Sequence, residues 1–428
     1  MDDAVLDSLL DPKNIAQLWT GKTRHFRAVR VFYQLDNDYR SIRDQLRGQP
    51  YEVKRSSLKA LHRKHAPRLA QLCRENGATW VKFAQVLSAR PDLLPHEYIE
   101  ALTPLQNEAK PVAFSKLIPT IETELGPQWL ELVADIEQSP IATASIGQVH
   151  KIRLRDGREV ALKVQLPQVK RLFKQDFVMF RLLANTFASR FKQLDLIQVI
   201  DELLKLTAQE LDFTREAANI RAFEKLPHPA RIKTPTLIPE MCSARTLCTE
   251  WIPGERLTDF LSAHPDEATD VLNIMMESYM QQIVQFGVYH ADPHPGNFII
   301  NEQRDVYILD FGAMATLSNE ERQHYSALLM AILSGQTDDL GRLLKEAGFS
   351  GADPELLDGL GASLKRSGRG GGRPSLQMSK RMQELMEKLR ENRIVIPDSF
   401  VPLSRVLITL SGFMQSYGVK FRWFSGKS

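Results

Sequence analysis

The stretch from Tyr289 to Ala313 is the part of this 428-residue chain that most constrains its fold. It contains two short apolar runs, Phe298-Ile299-Ile300 and Val306-Tyr307-Ile308-Leu309. Both runs are rich in β-branched or aromatic residues and are bounded by polar turn residues, so they are predicted to form the two strands of a hairpin. Carboxylate and amide side chains stand at the mouths of this hairpin, namely Asp292, Asn297 and Asp310. Such oxygen ligands predict a site for a hard divalent cation.

A second hairpin is predicted between Ser145 and Gln165. Its first strand, Ser145–Leu154, alternates apolar and polar residues, and Asp156-Gly157 is a strong two-residue turn. The second strand, Glu159–Gln165, carries Lys163, and a turn of small residues precedes the first strand: Ala142-Thr143-Ala144-Ser145-Ile146-Gly147. An ammonium group on a rigid strand beneath such a turn is well placed to meet nucleotide phosphates.

The composition is that of an ordinary globular protein, with 43% hydrophobic and 25% charged residues. A net charge of +3 gives no argument for nucleic acid as a partner. The three cysteines form neither a disulfide framework nor a zinc pattern, which favours a reducing, cytoplasmic location. The acidic N-terminus has no signal-peptide pattern, and no segment approaches the roughly 18 apolar residues of a transmembrane helix. The run Phe400 to Met414 is instead predicted to be a core helix.

The rest of the chain is predicted to be mainly helical. Residues 1–130 and the region from Gln168 to Phe223 show helical spacing of apolar residues, and Thr246–Trp251 is predicted to be a further strand. Between Lys54 and Arg68 there are six Lys or Arg residues and two His, with no acidic residue. A helix of this kind either lies on anionic lipid or presents a solvated face, which leaves peripheral membrane contact open.

The order of the polar residues in the downstream hairpin matches a known catalytic arrangement. Asn297 follows Asp292 by five residues, and the Asp310 of Asp-Phe-Gly follows it by eighteen, as in the catalytic and metal loops of protein kinases. Phosphoryl transfer needs Mg²⁺ bound by hard oxygen ligands. We therefore predict that Asn297 and Asp310 bind the metal, and that Asp292 orients the attacking hydroxyl or water. A polar surface hairpin, the alternative, would leave these matched positions unexplained.

Two features depart from ordinary protein kinases. Ala291 stands where they carry an arginine that meets a phosphorylated loop. After Asp310-Phe311-Gly312 the chain soon reaches Ser318-Asn319-Glu320-Glu321, a capping box that opens a helix, and no Ala-Pro-Glu segment follows. Little chain remains for a peptide-docking platform, so the predicted substrate is not a polypeptide bound in trans. His290 is predicted to pack behind the catalytic loop.

Five segments together resemble the UbiB family of atypical kinases: PIATASIGQVH, VALKVQ, QELDFTREAANI, HADPHPGNFII and LDFGA. The resemblance runs from about Glu75 to about Phe421. It implies an α+β, protein-kinase-like bilobal fold, with a helical N-terminal extension (residues 1–130), a small β-rich N-lobe (131–252) and a helical C-lobe (253–428). It also implies binding of ATP with Mg²⁺ and a link to ubiquinone or other isoprenoid-lipid metabolism.

The resemblance assigns roles to several further residues. The alanine-rich turn replaces the usual glycine-rich nucleotide loop, which implies nucleotide contacts from Ala142, Thr143, Ala144, Ser145, Ile146 and Gly147. The Cβ atoms of its alanines should make this turn stiffer than a glycine loop. Glu216 is the candidate helix glutamate that pairs with Lys163 in the catalytic set, and Glu250 is predicted to contact the nucleotide.

The extension carries a family motif of its own. Lys82 and Gln85 match the family's Lys-x-Gly-Gln, but Ala84 replaces the glycine. Glu210 and Asp212 match its Glu-x-Asp motif, and the resemblance implies that Lys82 lies against these carboxylates while the extension covers the substrate cleft.

Two functions from different classes follow. The first is a Mg²⁺-dependent ATP-binding kinase or ATPase of the UbiB type. The alternative is a nucleotide-binding scaffold that organises a lipid-biosynthetic complex and turns over little. Adenine nucleotide is the predicted ligand in both, with an isoprenoid lipid or lipid-biosynthetic enzymes as the further partners.

Overall fold

The computed structural model describes residues 22–88, 94–107, 111–144, 146–187, 196–334, 339–351 and 394–419, together with Leu385, Met386, Lys388 and Leu389. The chain divides into two compact units. Unit 1 contains the chain up to Arg215 and the segment Ile238–Thr249; unit 2 contains Glu216–Leu237 and the chain from Glu250 onward. The domain boundaries that the sequence suggested remain predictions.

Helices make up most of the described chain. In unit 1 they are α1 (Lys22–Gln45), α2 (Tyr51–Asn76), α3 (Ala78–Ser88), α4 (His96–Leu102), α5 (Ile118–Leu125), α6 (Trp129–Leu132), α7 (Val169–Phe187) and α8 (Leu196–Glu210). Helix α9 (Phe213–Glu224) begins in unit 1 and continues in unit 2. Unit 2 adds α10 (Leu257–Ala263), α11 (Ala268–Met280), α12 (Asn319–Ser334), α13 (Leu340–Glu346) and α14 (Phe400–Ser416).

The strands form three antiparallel or mixed sheets. In chain order they are β1 (Val133–Ile136), β2 (Ala142–Thr143), β3 (Gly147–Leu154), β4 (Glu159–Gln165), β5 (Ile232–Lys233), β6 (Thr246–Glu250), β7 (Glu255–Arg256), β8 (Val288–His290), β9 (Phe298–Ile300), β10 (Val306–Ile308) and β11 (Met314–Thr316). Unit 1 holds the order β1-β3-β4-β6, with β2 paired to β3. Unit 2 holds β5-β10-β9-β7 and the pair β11-β8.

Both predicted hairpins are present. Strands β3 and β4 pair in register from Gly147 opposite Gln165 to Arg153 opposite Glu159, and Gly157 takes a φ of +91° in the turn between them. A positive φ is nearly free of cost for glycine, which explains its place there. Strands β9 and β10 pair with Ile300 opposite Val306. The alternating apolar residues of β3 and β4 pack with helical aromatic residues into the core of unit 1, which includes Ile152, Leu154, Val160, Leu162, Val164, Phe114 and Trp129.

Helix ends in unit 2 follow the predicted chemistry. The Ser318 N–H donates to Glu321 Oε2 at 2.7 Å and the Glu321 N–H donates to Ser318 Oγ at 3.1 Å, so the capping box before α12 is confirmed. Helix α14 buries nine residues, including Phe400, Leu403 and Leu407, as predicted for a core helix. No helix among the described residues is long and apolar enough to cross a bilayer. The predicted α+β fold class is confirmed.

Candidate active site

His290 is fully buried behind the predicted catalytic loop, at the end of β8. Its Nε2–H donates to the main-chain oxygen of Asp310 at 2.6 Å, and its Nδ1 accepts from the Tyr279 hydroxyl at 3.0 Å. Burial lowers the pKa of His290, so the neutral ring with hydrogen on Nε2 is the form that satisfies both partners. Its backbone N–H donates to Gln282 Oε1 at 2.9 Å. The prediction that His290 packs behind the loop is confirmed.

Asp292 and Asn297 lie against each other in the loop that follows. The Asn297 Nδ2 group donates to the main-chain oxygen of Asp292 at 3.1 Å and to its Oδ2 at 3.2 Å. Because the amide nitrogen is used in this way, Oδ1 is the Asn297 atom suited to binding a cation. Asn297 is the last residue of a single-turn 3₁₀ helix, Pro295–Asn297. His294 caps the start of this helix, because its Nδ1 accepts from the Gly296 N–H at 3.1 Å.

Asp310 lies in the same region of unit 2. Its Oδ1 accepts from the Gly312 N–H at 2.8 Å, which turns the chain directly after β10. The N–H of Leu309, the residue before Asp310, donates to the main-chain oxygen of Asn297 at 2.9 Å. This hydrogen bond joins the segment that carries Asp310 to the loop that carries Asn297. Hydrogen bonds therefore join Asp292 to Asn297, and the main chain of Leu309, which precedes Asp310, to that of Asn297.

The predicted ligands, Asn297 and Asp310, suit Mg²⁺, which usually binds a few protein oxygens together with waters and phosphate, rather than a metal that is coordinated by protein side chains only. Carboxylate and amide oxygens are the hard donors that Mg²⁺ prefers, and it commonly keeps waters and phosphate oxygens in its remaining positions. Within the described residues there is no group of three His, Cys, Asp or Glu side chains arranged to hold a metal. A cation held by Asn297 and Asp310 would therefore need a ligand that brings its own oxygens.

Helix α9 holds Phe311 by both of its backbone polar groups. The Phe311 N–H donates to Glu216 Oε1 at 3.4 Å, a long bond, and Asn219 Nδ2 donates to the Phe311 oxygen at 2.9 Å. The Phe311 ring is fully buried, with its centroid 5.0 Å from that of Phe223 and 5.6 Å from that of His290. Sequence reasoning chose Glu216 but missed Asn219, although a spacing of three places both on one helix face.

Arg405 of helix α14 holds the predicted catalytic loop by a hydrogen bond. Its Nη2 donates to the main-chain oxygen of Ala291 at 2.6 Å. Position 291 is an alanine where ordinary protein kinases have an arginine. In the structure, the guanidinium that contacts this position belongs to Arg405, a residue 114 positions away. No local pattern could have identified Arg405, because the contact depends on how α14 packs in unit 2.

In unit 1, Lys163 lies on β4 opposite Val149 of β3. Its Nζ stands 5.1 Å from the centroid of the Phe213 ring, and Phe213 is almost fully buried. A cation over an aromatic face is stabilised by about 0.5–2 kcal/mol, so Phe213 orients the ammonium group. Glu216 belongs to unit 2, and its pairing with Lys163 remains a prediction.

The alanine-rich segment forms a tight turn. Ala142 and Thr143 pair with β3, and the Ala144 N–H donates to the Gly147 oxygen at 2.8 Å. Ile146 is buried in this turn, while Ser145 lies outside the described residues. A Cβ on Gly147 would stand 2.9 Å from the Val164 oxygen, so only glycine allows β3 and β4 to approach this closely.

Gln148 fixes the start of β3 to the segment before the sheet. Its amide donates from Nε2 to the Val112 oxygen at 3.0 Å, and its Oε1 accepts from the Val112 N–H. Gln148 is fully buried, so this reciprocal pair satisfies polar groups that water does not reach. Glu250, at the end of β6, accepts from the Thr236 N–H through Oε1 at 2.9 Å.

The motif of the extension is held in unit 1. Lys82 Nζ contacts Glu210 Oε1, and both side chains are mostly buried, at 17% and 21% exposed. Asp212 instead accepts from the Thr214 N–H at 3.1 Å and from its hydroxyl at 2.6 Å, which caps helix α9. Gln85 lies one turn after Lys82 in α3. Ala84 is fully buried inside the same helix, so its Cβ fits where the family motif has glycine.

Comparison with known proteins gives consistent matches. Residues 104–344 match the ABC1 atypical kinase-like domain. An uncharacterized protein from the hydrogenase 1 5′ region of Clostridium pasteurianum is 30% identical over 368 residues, covering 82% of this chain and 67% of that protein. The chloroplastic protein Activity of BC1 Complex Kinase 1 of Arabidopsis thaliana is 30% identical and covers 81% of this chain. This chain spans about half, 52%, of the Arabidopsis protein.

A mouse protein and a solved structure extend these matches. AarF domain-containing protein kinase 1 of Mus musculus is 29% identical, covering 81% of this chain and 67% of that protein. The structure of Rv3197 from Mycobacterium tuberculosis, solved as a complex with erythromycin, matches with a TM-score of 0.54 and 25% identity. That match covers 78% of this chain and 87% of the other, and supports the predicted protein-kinase-like fold.

Proposed function

Because the chain belongs to the ABC1 atypical kinase-like family, the UbiB-type family that its sequence resembles, we propose that it binds ATP with Mg²⁺ and acts as an atypical kinase or ATPase. The observation that carries the proposal is the hydrogen-bonded pair of Asp292 and Asn297 in unit 2, whose loop is joined by Leu309 to the chain at Asp310. These oxygen donors fit Mg²⁺ that also binds phosphate.

Each residue has a distinct role in this proposal. Asn297 Oδ1 and the Asp310 carboxylate hold the cation, which neutralises phosphate charge. Asp292 orients the attacking hydroxyl or water, and the hydrogen bond from Asn297 Nδ2 to its Oδ2 restrains its rotamer. Lys163 contacts the phosphates, supported by the Phe213 ring, while Glu250 and the turn Ala142–Gly147 contact the nucleotide.

The proposed acceptor is a small molecule linked to ubiquinone or other isoprenoid-lipid metabolism, or water. The support is the packing of the N-terminal helices against kinase-like elements of unit 1, through Lys82 with Glu210 and through Asp176 of α7. The contact of Lys82 with Glu210 is one that the family resemblance implies for an extension that excludes a polypeptide substrate. The sequence after Gly312 agrees, since the capping box of α12 begins six residues later.

Asp310→Asn tests the metal role. We expect this variant to lose Mg²⁺-dependent stabilisation by ATP, because an amide replaces the charged ligand, and ATP hydrolysis to fall by roughly tenfold or more. Thermal unfolding with ATP and either Mg²⁺ or a chelator measures binding, and phosphate release measures turnover.

Asp305→Asn is the matched control, because Asp305 lies in the same hairpin, in the turn between β9 and β10. It should bind Mg²⁺-ATP like the wild-type protein. Equal Mg²⁺-ATP stabilisation of the wild-type and Asp310→Asn proteins would contradict the metal site. Stabilisation of the wild-type protein by Mg²⁺-ATP without any hydrolysis would favour the scaffold function. The tight turn at Ala144 is consistent with that alternative, because a stiff turn should fold over the phosphates less freely than a glycine loop.

A further inference from the structure

Helices α1 and α2 concentrate positive charge. Residues 22–76 contain fourteen Lys and Arg against five Asp and Glu, a net charge of +9, whereas the whole chain has +3. The remaining residues therefore carry a net negative charge. A charge difference of this size within one chain indicates a surface that meets an anionic partner.

Most of the acidic residues in this segment are neutralised within it. Asp36 pairs with Arg40, Asp38 with Lys64, and Glu75 with Arg27. The excess charge therefore falls on other basic side chains. Six of these are exposed at the surface: Arg30, Arg43, Arg47, Lys59, Arg63 and Arg68.

Helix α1 also exposes a stripe of large apolar side chains. Phe26 is 70% exposed, Val29 42% and Tyr33 66%, and their spacing of three and four residues places them on one helix face. The opposite face packs inward, with Ala28 and Leu35 buried. Single exposed apolar residues are common, but three aligned on one face mark an interaction surface.

We propose that this face of α1, defined by Phe26, Val29, Arg30 and Tyr33, docks on the surface of an anionic lipid bilayer. An amphipathic helix with aromatic residues on one side and basic residues beside them lies in the plane of the headgroups. The Phe26 and Tyr33 rings enter the boundary between headgroups and acyl chains, and Arg30 contacts lipid phosphate. Each basic residue near such a surface contributes about 1 kcal/mol.

The docking face combines apolar and aromatic side chains with a basic one, and this combination distinguishes a lipid bilayer from a nucleic acid as its partner. A nucleic acid would bind the basic residues and gain little from Val29, which has no polar group for a phosphate. An anionic bilayer offers both a negative surface and an apolar layer beneath it, so it matches the whole face. The proposal is independent of ATP binding, because every residue of the docking face lies on α1.

The test is sedimentation of the full-length protein with vesicles of phosphatidylcholine, with and without phosphatidylglycerol. We expect binding to the phosphatidylglycerol vesicles only, and weaker binding at high salt because salt screens the basic residues. The variant Phe26→Ser/Val29→Ser/Tyr33→Ser should lose at least about tenfold in affinity, since it removes the buried apolar area. Arg30→Glu should weaken binding as well.

The matched control is Leu182→Ser/Met330→Ser, which removes two large side chains that are 51% and 46% exposed elsewhere. It should bind vesicles like the wild-type protein. All variants should keep Mg²⁺-ATP stabilisation, which separates failure of this proposal from failure of the proposed function. The proposal is overturned if the triple-serine variant binds as well as the wild-type protein, if neutral vesicles bind equally, or if no vesicle binds.

Discussion

Phe311 shows how single residues join the parts of the candidate site in unit 2. Its ring is buried against Phe223 and His290, while Glu216 and Asn219 take its N–H and oxygen. Phe311 lies between Asp310 and Gly312, so anything that moves its backbone also moves the predicted metal ligand. Asn219 is therefore a positioning residue for Asp310 and does not itself meet the metal.

Replacement of Asn219 should weaken nucleotide binding without removing a ligand. Asn219→Ala leaves the Phe311 oxygen without this donor, which should lower the free energy of unfolding by about 1–3 kcal/mol. The Asp310 carboxylate then becomes less well positioned, so the Mg²⁺-ATP stabilisation should fall. Thermal unfolding with and without Mg²⁺-ATP measures both effects.

Two further variants sharpen this prediction. Asn219→Asp keeps the shape but sets a carboxylate against the Phe311 oxygen, so it should destabilise the protein more than Asn219→Ala does. Arg221→Ala lies on the exposed side of the same helix and should change little. If Asn219→Asp were as stable as the wild-type protein, the hydrogen bond to Phe311 would not matter for the fold.

Asp212 shows why residue type alone did not predict which carboxylate contacts Lys82. Sequence resemblance grouped Glu210 with Asp212 as partners of Lys82, but only the longer side chain is paired with Lys82 in the structure. Asp212 caps helix α9, and aspartate is among the best capping residues. A carboxylate can either pair with Lys82 or cap a helix, so the role of each residue depends on where α8 ends and α9 begins.

Among the elements, helices α1, α3 and α7 meet at Asp176. Its side chain is fully buried, Arg24 Nη2 lies 3.0 Å from Oδ2, and Trp80 Nε1 donates to Oδ1 at 3.1 Å. Burial raises the pKa of Asp176, and the charge of Arg24 opposes this. With two donors aimed at it, the ionised carboxylate is the form that the structure satisfies.

Asp176→Asn should loosen the N-terminal helices. An amide presents only one acceptor oxygen and leaves the Arg24 charge without its partner, so we expect a loss of about 3–5 kcal/mol in stability. Asp201→Asn is the control: its pair with Arg181 at 2.7 Å is 41% exposed on the aspartate side, and it should cost at most about 1 kcal/mol. Thermal unfolding compares the two, and equal effects would contradict a special role for Asp176.

Elements and their contacts differ in how far the sequence predicts them. Strands β3, β4, β9 and β10 follow directly from alternation, turn residues and β-branched runs, and they appear within a residue or two of the prediction. The contact of Arg24 with Asp176 spans 152 positions and that of Arg405 with Ala291 spans 114. Such contacts depend on helix packing, which no local pattern encodes. The motif of Asp292, Asn297 and Asp310 could be recognised because its residues lie within eighteen positions of one another.

For the molecule as a whole, buried histidines predict a loss of stability in acid. Burial lowers the pKa of His65, His150 and His228 below the ordinary histidine value of about 6.5. Below about pH 6.5 the unfolded chain takes up protons that these rings refuse in the folded protein. Stability from this source is therefore complete above that pH and falls as the pH drops toward the lowered pKa values.

Thermal unfolding across a series of buffers from about pH 7.5 to 5.5, the range in which histidine titrates, should show a falling midpoint. His150 is fully buried and its Nδ1–H donates to the main-chain oxygen of Glu137 at 3.0 Å, a hydrogen bond that a glutamine amide can also donate. His150→Gln should therefore reduce the slope, by up to about 1.4 kcal/mol per pH unit. His96→Gln, at a side chain that is 76% exposed, should reduce it much less. A midpoint that stays level or rises in acid, or equal slopes for the two variants, would contradict the prediction.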